Sequence, residues 1–325
     1  MSLLNEKLDR LASLVGNTPT LRLYCKVDDQ DVSVLAKYEA WNFTGSIKDR
    51  MAYQILCAAV NNGVLTDNQT IIEATSGNTG IAFAAMGAYL GLPVHIYMPS
   101  WLSQERKKLL KFYGAKLVQY NAKQGGFLRC IEEVTKKSTK KHYFSPQQFK
   151  NSWNVFAHYQ NTAPELDKIL ENHKIGNLDA FIAGVGTGGT LMGFYRYFSA
   201  LNPNFKAIPV HPDKNEDGKH RIEGIGDSFI PEILSVSEIE PFCRVNDGDA
   251  ISIARQINKI GLSVGISSGA NVFAAAVTKA DHPDIKTIAT ILCDDNKKYL
   301  STDLCSNKEE NLTRNITILD YERLV

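Results

Sequence analysis

The chain of 325 residues reads as an α/β protein whose parallel-rich sheets are covered by helices on both faces. Short apolar stretches, residues 94–98 and 180–183 among them, alternate with helical stretches at a regular spacing. Links of that length join parallel strands, whose two buried faces make them apolar throughout. The pattern lapses over 143–153 and then restarts. Residues 46–150 are therefore expected to form a smaller α/β domain, and 1–45 with 151–325 a larger one.

Taken in order, residues 3–15 predict a helix, stopped by the turn signal Gly16-Asn17-Thr18-Pro19. Residues 21–24 and 32–38 predict strands around a polar loop at 28–31. An amphipathic helix over 49–64, a strand at 70–73 and a small-residue-rich helix over 81–90 follow. Gly91 and Pro93 end that helix, and 94–98 is a strand. The unit repeats as a helix over 103–113, a strand at 116–120 and a helix over 126–136. The lysine-rich run 136–141 marks a solvated helix end, and 143–153 a loop. Beyond it come helices over 154–171, 189–202, 250–260 and 270–279, with strands at 180–183, 206–210 and 287–292. Residues 213–218 form a polar loop, and 316–319 dock as a last strand.

Charge narrows the function. The 36 Lys plus Arg nearly cancel the 35 Asp plus Glu, which argues against a nucleic-acid or membrane-surface partner. No apolar run approaches the roughly 20 residues of a membrane span. A soluble, cytoplasmic protein is expected. The six cysteines (Cys25, Cys57, Cys130, Cys243, Cys293 and Cys305) lie far apart without a Cys-x-x-Cys pair, and read as small buried side chains. His211 and His220 share a polar loop but lack metal-binding helix spacing, so no metal is expected.

Three stretches carry chemistry. Gly186-Thr187-Gly188-Gly189-Thr190 lies between a strand and a helix, an order that aims backbone N–H groups and the positive helix end at an anion. It is neither a Gly-x-Gly-x-x-Gly pattern nor a P-loop, since no Lys-Ser/Thr follows Gly189. Thr75-Ser76-Gly77-Asn78-Thr79-Gly80 repeats that order with side-chain donors and could hold a small carboxylate; Ser76 or Asn78 could equally be an ordinary helix cap. The third is Asn42-Phe43-Thr44-Gly45-Ser46-Ile47-Lys48-Asp49-Arg50. Most lysines are surface charges, but one beside two anion cradles can hold an aldehyde cofactor as a Schiff base.

These motifs, with Glu223-Gly224-Ile225-Gly226 and Gly265-Ile266-Ser267-Ser268-Gly269, resemble the cysteine synthase and cystathionine β-synthase family over nearly the whole chain. That resemblance implies the two-domain, tryptophan-synthase-β-like fold type II of pyridoxal 5'-phosphate (PLP) enzymes, a homodimer, and a small domain that closes over an amino-acid substrate. It implies Lys48 as Schiff-base lysine and base. Gly186, Thr187, Gly188, Gly189 and Thr190 become the phosphate cup, Asn78 the partner of the cofactor's 3′-oxygen, and Ser267 the group facing the pyridine nitrogen. Ser267 could also cap the helix from 270. Thr75, Ser76, Thr79 and Gln148 match residues that close on the substrate carboxylate, and Gly224 borders the substrate. A hydroxyl at the ring nitrogen leaves a weaker electron sink, which favours β-elimination through an α-aminoacrylate over transamination.

The implied activity is cysteine-synthase-like β-replacement, O-acetylserine plus sulfide giving cysteine and acetate. The chain departs from that pattern at Asp227, where cysteine synthases carry a small residue, and at Glu223, which resembles the cystathionine enzymes. If Asp227 faces the site it can act as base on water, and L-cysteine plus water would give L-serine and hydrogen sulfide. If it faces solvent or caps a turn, it is incidental. Cystathionine or diaminopropionate synthesis, and a non-catalytic binding role, are the remaining readings.

Overall fold

A computed structural model describes residues 2–75, 77–213, 219–226 and 229–325. Among the described residues the strands fall into two sheets. β1 (Thr20–Val27) and β2 (Gln30–Tyr38) form a hairpin in register from Thr20–Lys37 to Val27–Gln30. Its two turn residues, Asp28 and Asp29, both have positive φ (44° and 68°), the primed-turn geometry that matches strand twist. The loop expected at 28–31 is thus shorter, and Gln30 already pairs.

The smaller sheet is parallel, in the order β5-β4-β3-β6, from β3 (Thr70–Ala74), β4 (Val94–Pro99), β5 (Lys116–Tyr120) and β6 (Tyr143–Phe144). The remaining strands are β7 (Ala180–Gly184), β8 (Lys206–Pro212), β9 (Cys243–Val245), β10 (Ile288–Leu292) and β11 (Ile316–Leu324). With the hairpin they give the order β11-β1-β2-β10-β7-β8-β9. This sheet is parallel from β2 to β9 and antiparallel at the β11-β1-β2 edge.

The helices are α1 (Leu3–Leu11), α2 (Lys48–Asn61), α3 (Asn78–Leu90), α4 (Gln104–Phe112), α5 (Gly126–Ser138), α6 (Ser152–Ala157), α7 (Ala163–Asn172), α8 (Gly189–Leu201), α9 (Asp247–Lys259) and α10 (Ile266–Asp281). In α1 the Ser2 hydroxyl accepts from the Asn5 N–H (3.2 Å), and Leu4, Leu8 and Leu11 share one face. That face packs with Met51 and Ile55 of α2 and Ile81 of α3, so α1 belongs to the core around the smaller sheet. Each such leucine stabilises by roughly 1.5–3 kcal/mol when fully buried.

The larger sheet is covered on one face by α9 and α10 and on the other by α7 and α8. A Cβ on Gly269 would meet the Ala250 carbonyl, so α10 lies close against α9 there. Phe181 of β7 stacks on Phe194 of α8, centroids 3.7 Å apart, which ties the strand before the glycine loop to the helix after it.

Several local expectations change. Residues 143–153, expected as a loop, hold β6 and the start of α6; two-residue β6 is too short for a periodic signal. The helix expected over 154–171 is divided by a π-turn at His158–Thr162, and Pro164 just beyond it has no N–H to continue the ladder. Three-residue β9 carries no periodic signal in the sequence, and β11 runs to Leu324 because an edge strand needs few apolar residues: only Ile316, Ile318 and Leu324 of it are buried.

Candidate functional site

The site lies where parallel strands end. The loop after β3 leads into α3 and the loop after β7 into α8, so both helix N-termini face the crevice between the sheets. Crevices at the carboxyl ends of parallel strands are the usual ligand sites of such folds. Two adjoining cavities open there. Lys48, Asn78, Gly186, Thr187, Glu223 and Gly224 line both. The first adds Thr75, Gly77, Thr79, Arg106, Gln148 and Phe149; the second adds Gly188, Thr190, Ser267, Asn271 and Cys293.

Lys48 is the first residue of α2, and its loop is pinned to the end of β10. The Ile47 N–H donates to the Cys293 carbonyl (2.9 Å), and Lys298 Nζ donates to the Gly45 carbonyl (2.8 Å). Thr44 donates to Asp49 through its N–H and hydroxyl (2.8 and 2.6 Å), yet burial still pushes the Asp49 carboxyl up to about 6. Next along α2, Arg50 Nη2 donates to Glu39 (2.9 Å) and Nη1 to Glu165 (2.7 Å), and Lys37 Nζ donates to Glu165 (2.7 Å). Burial opposes both carboxylates, but Arg50 outweighs it and holds them below the usual range.

Packing fixes the glycine loop. A side chain at Gly186 would meet the Gly224 carbonyl, and one at Gly189 the Asn154 amide. Gly188 has φ 83°, a left-handed conformation that favours glycine. Asn154 Nδ2 donates to Thr187 Oγ1 (3.0 Å), and His158 Nε2 lies 3.3 Å from Thr190 Oγ1. Burial, and then the charges of Arg50 and Lys48, lower the His158 pKa well below its ordinary value, so the ring is neutral.

Side chains hold the loop after β3 instead. The Gly77 N–H donates to Thr75 Oγ1 (3.1 Å), Thr79 Oγ1 donates to Gln148 Oε1 (2.7 Å), and Gln148 Nε2 donates to the Ala74 carbonyl (3.0 Å). Asn78 Nδ2 donates to Asp294 (2.7 Å), which also accepts from the Tyr299 hydroxyl (2.8 Å). Asn78 Oδ1 is buried and has no partner.

Lys48, Thr75, Asn78, Thr79, Gln148, Gly186, Thr187, Gly188, Thr190, Ser267 and Gly224 are thus brought to one crevice, and Gly189 opens α8 beside it. Ser76 and Asp227 lie outside the described residues. Two capping expectations change. α3 starts at Asn78, so Asn78 lies inside the first turn with Gly77 at the cap position, which has no side chain to accept a cap bond. α10 starts at Ile266 rather than 270, which puts Ser267 in its first turn.

Sequence reasoning missed Arg106, Asn154, Asn271 and Cys293, and read Glu223 as a motif residue resembling the cystathionine enzymes without a role in the crevice. Asn271 accepts from the Gly184 N–H (2.8 Å) and donates to the Ile291 carbonyl (2.9 Å), bracing the ends of β7 and β10. A polar residue inside the apolar run of α10 was the available signal. Arg106 had none, being one of several charges on its helix. No group of three or more His, Cys, Asp or Glu side chains among the described residues could hold a metal, and no described helix is long and apolar enough to cross a membrane.

A family model described as pyridoxal-phosphate dependent enzyme matches residues 11–294. The chain is 40% identical over 304 residues to cysteine synthase B of Campylobacter jejuni, covering 91% of this chain and 98% of that protein. It is similar to the crystal structure of a hydrogen sulfide-producing enzyme from Fusobacterium nucleatum, with TM-score 0.91 and 41% identity over 98% of this chain and 99% of that one. It is also similar to cysteine synthase from Entamoeba histolytica, with TM-score 0.82 and 33% identity over 93% and 92% of the two chains. The fold is accordingly that of fold type II, and the chain belongs to the pyridoxal-phosphate-dependent enzyme family.

Proposed function

We propose that the chain catalyses β-replacement on a three-carbon amino acid, as a cysteine synthase does, with Lys48 as the residue that moves the Cα proton. The observation that carries this is the meeting of Lys48 with a glycine cradle, a hydroxyl-rich loop and Ser267 around two joined cavities.

The residues fit PLP. The close approach of Gly186 to the Gly224 carbonyl keeps the cradle free of side chains, and the Asn78 amide, which gives one N–H to Asp294, has a second N–H to offer an occupant. When bound, the cofactor supplies an aldehyde for amines and a ring that takes up electron density from Cα. The backbone N–H groups of Gly186, Thr187, Gly188 and Gly189, with Thr190, would hold its phosphate, Asn78 its 3′-oxygen and Ser267 its ring nitrogen. Thr75, Ser76, Thr79 and Gln148 hold the substrate carboxylate, and Gly224 borders the substrate. Lys48 takes the proton from Cα as the β-substituent leaves and returns it once a nucleophile has added at Cβ. Thr79 Oγ1 donates to Gln148 Oε1 and Gln148 Nε2 to the Ala74 carbonyl, so the carboxylate is received by donors that exchange partners as it binds.

A second reading, L-cysteine plus water giving L-serine and hydrogen sulfide, is favoured by the Fusobacterium relative, matched at 41% identity over almost all of both chains. Asp227 would then activate the water. The test is to supply purified holoenzyme with O-acetylserine plus sulfide, or with L-cysteine alone, and to measure cysteine, serine and sulfide. Cysteine formation only from the first supports the synthase. Serine and sulfide from cysteine alone, lost in Asp227→Asn, support the second reading. No product from either would sink both.

Residues 46–150, with α1 packed on them, act as the closing part of the molecule, and the protein works as a homodimer in the cytoplasm. Light scattering at the mass of one chain would overturn the dimer.

A further inference from the structure

One charged pair in the crevice has no part in the chemistry above. Arg106, in the first turn of α4, lines the first cavity, its side chain only 3% exposed. The guanidinium lies over the Tyr299 ring, 4.7 Å from its centroid, and along Gly77 of the loop after β3, where an added Cβ would come within 2.8 Å of Arg106 Cδ and Nε. Its neighbours on the helix are docked too: Ser103 Oγ donates to the Lys298 carbonyl (3.1 Å), and Ser301 Oγ donates to Glu105 (2.7 Å). Arg106 is therefore fixed. Its guanidinium pairs with Glu223, and its Nε–H is buried without an acceptor.

Glu223 differs. It sits on an irregular segment, its side chain is 27% exposed, and it lines both cavities. A buried guanidinium needs a carboxylate beside it, because an unpaired buried charge is costly. Only one partner of this pair is free to leave. The geometry points to Arg106 as a second anion seat of the substrate cavity, which the Glu223 carboxylate occupies from within the chain. While Glu223 holds the seat, the site prefers a second reactant without a carboxylate; a reactant that carries one must displace Glu223. Arg106 and Glu223 are thus specificity-determining residues. This rests on the reading of the crevice as an amino-acid site with a second reactant.

The test uses holoenzyme with the amino-acid seat saturated by L-alanine, which has no β leaving group. Propionate is then titrated by calorimetry as the carboxylate probe. Wild type should bind it weakly. Glu223→Gln should bind it about tenfold more tightly, the scale of one charge-assisted hydrogen bond, and Arg106→Gln in the Glu223→Gln background should lose the gain. Unchanged affinity in Glu223→Gln overturns the seat, and so does a gain that survives the double substitution. If the double variant does not fold, Arg106→Lys in the same background replaces it: the compact ammonium loses the planar fork and most of the gain. The visible absorbance change on adding L-alanine reports separately on the amino-acid seat, so failure of that reading shows as its absence.

Discussion

The two loops at the heart of the crevice have the same local plan, strand then loop then helix, and are held in opposite ways. The loop after β7 is fixed by backbone and packing: Gly186 abuts the Gly224 carbonyl, Gly189 the Asn154 amide, and a neutral His158 lies under Thr190. The loop after β3 is fixed by side-chain hydrogen bonds: Thr75 accepts from the Gly77 N–H, Thr79 donates to Gln148 and Asn78 donates to Asp294. A seat for a resident cofactor gains from rigidity. A seat that fills and empties each turnover gains from donors that can exchange partners.

Lys48 stands between the two loops, and Lys48→Ala should have the largest effect, lowering kcat by about 10³-fold or more with the fold retained by circular dichroism. A loss under tenfold would assign the proton transfer to another group. Next comes Gly186→Ala. Its methyl meets backbone that cannot give way, so PLP affinity should fall at least about tenfold and stability by about 1–3 kcal/mol. Equilibrium dialysis and urea unfolding check the two effects; unchanged PLP binding would mean that the cradle is less rigid than its packing implies. On the other loop Thr79→Val should leave PLP binding within about twofold and raise KM for the amino acid about tenfold, through loss of the hydroxyl that meets Gln148. A change in PLP affinity instead would erase the contrast between the loops.

The smallest effect concerns Glu73, at the end of β3. Burial raises its carboxyl to about 8, with partial relief from the Ala74 N–H (3.0 Å). The native state therefore holds this proton where the unfolded chain has lost it, and stability should fall as pH rises from about 4.5 to 8. Glu73→Gln should flatten that slope and stabilise the protein at pH 8 by about 1 kcal/mol, as read from urea midpoints. An identical pH slope in both proteins would place the titration elsewhere.

The alternation of strands and helices was legible because each element carries its own periodicity. β5 was read with the bounds it has, and α3, α8 and α10 were placed to within a few residues. β6 and β9 were not legible, since strands of two and three residues exist through their neighbours rather than their sequence. The motif residues were legible for a different reason: glycines, hydroxyls and a lysine at strand ends have few common uses in such a grouping. Asn154 and Arg106 were invisible, because what matters is what they touch from a distant part of the chain, Thr187 in one case and Glu223 and Tyr299 in the other.

Sequence alone determined the α/β class, the strand-end loops and Lys48, because periodicity, glycine freedom and side-chain chemistry are local properties. Tertiary structure decided which loop is rigid, that His158 is neutral, that Asn78 lies inside α3 and donates to Asp294, and that Arg106 lines the crevice. Those are matters of burial and long-range partners, and neither exists until the chain has folded.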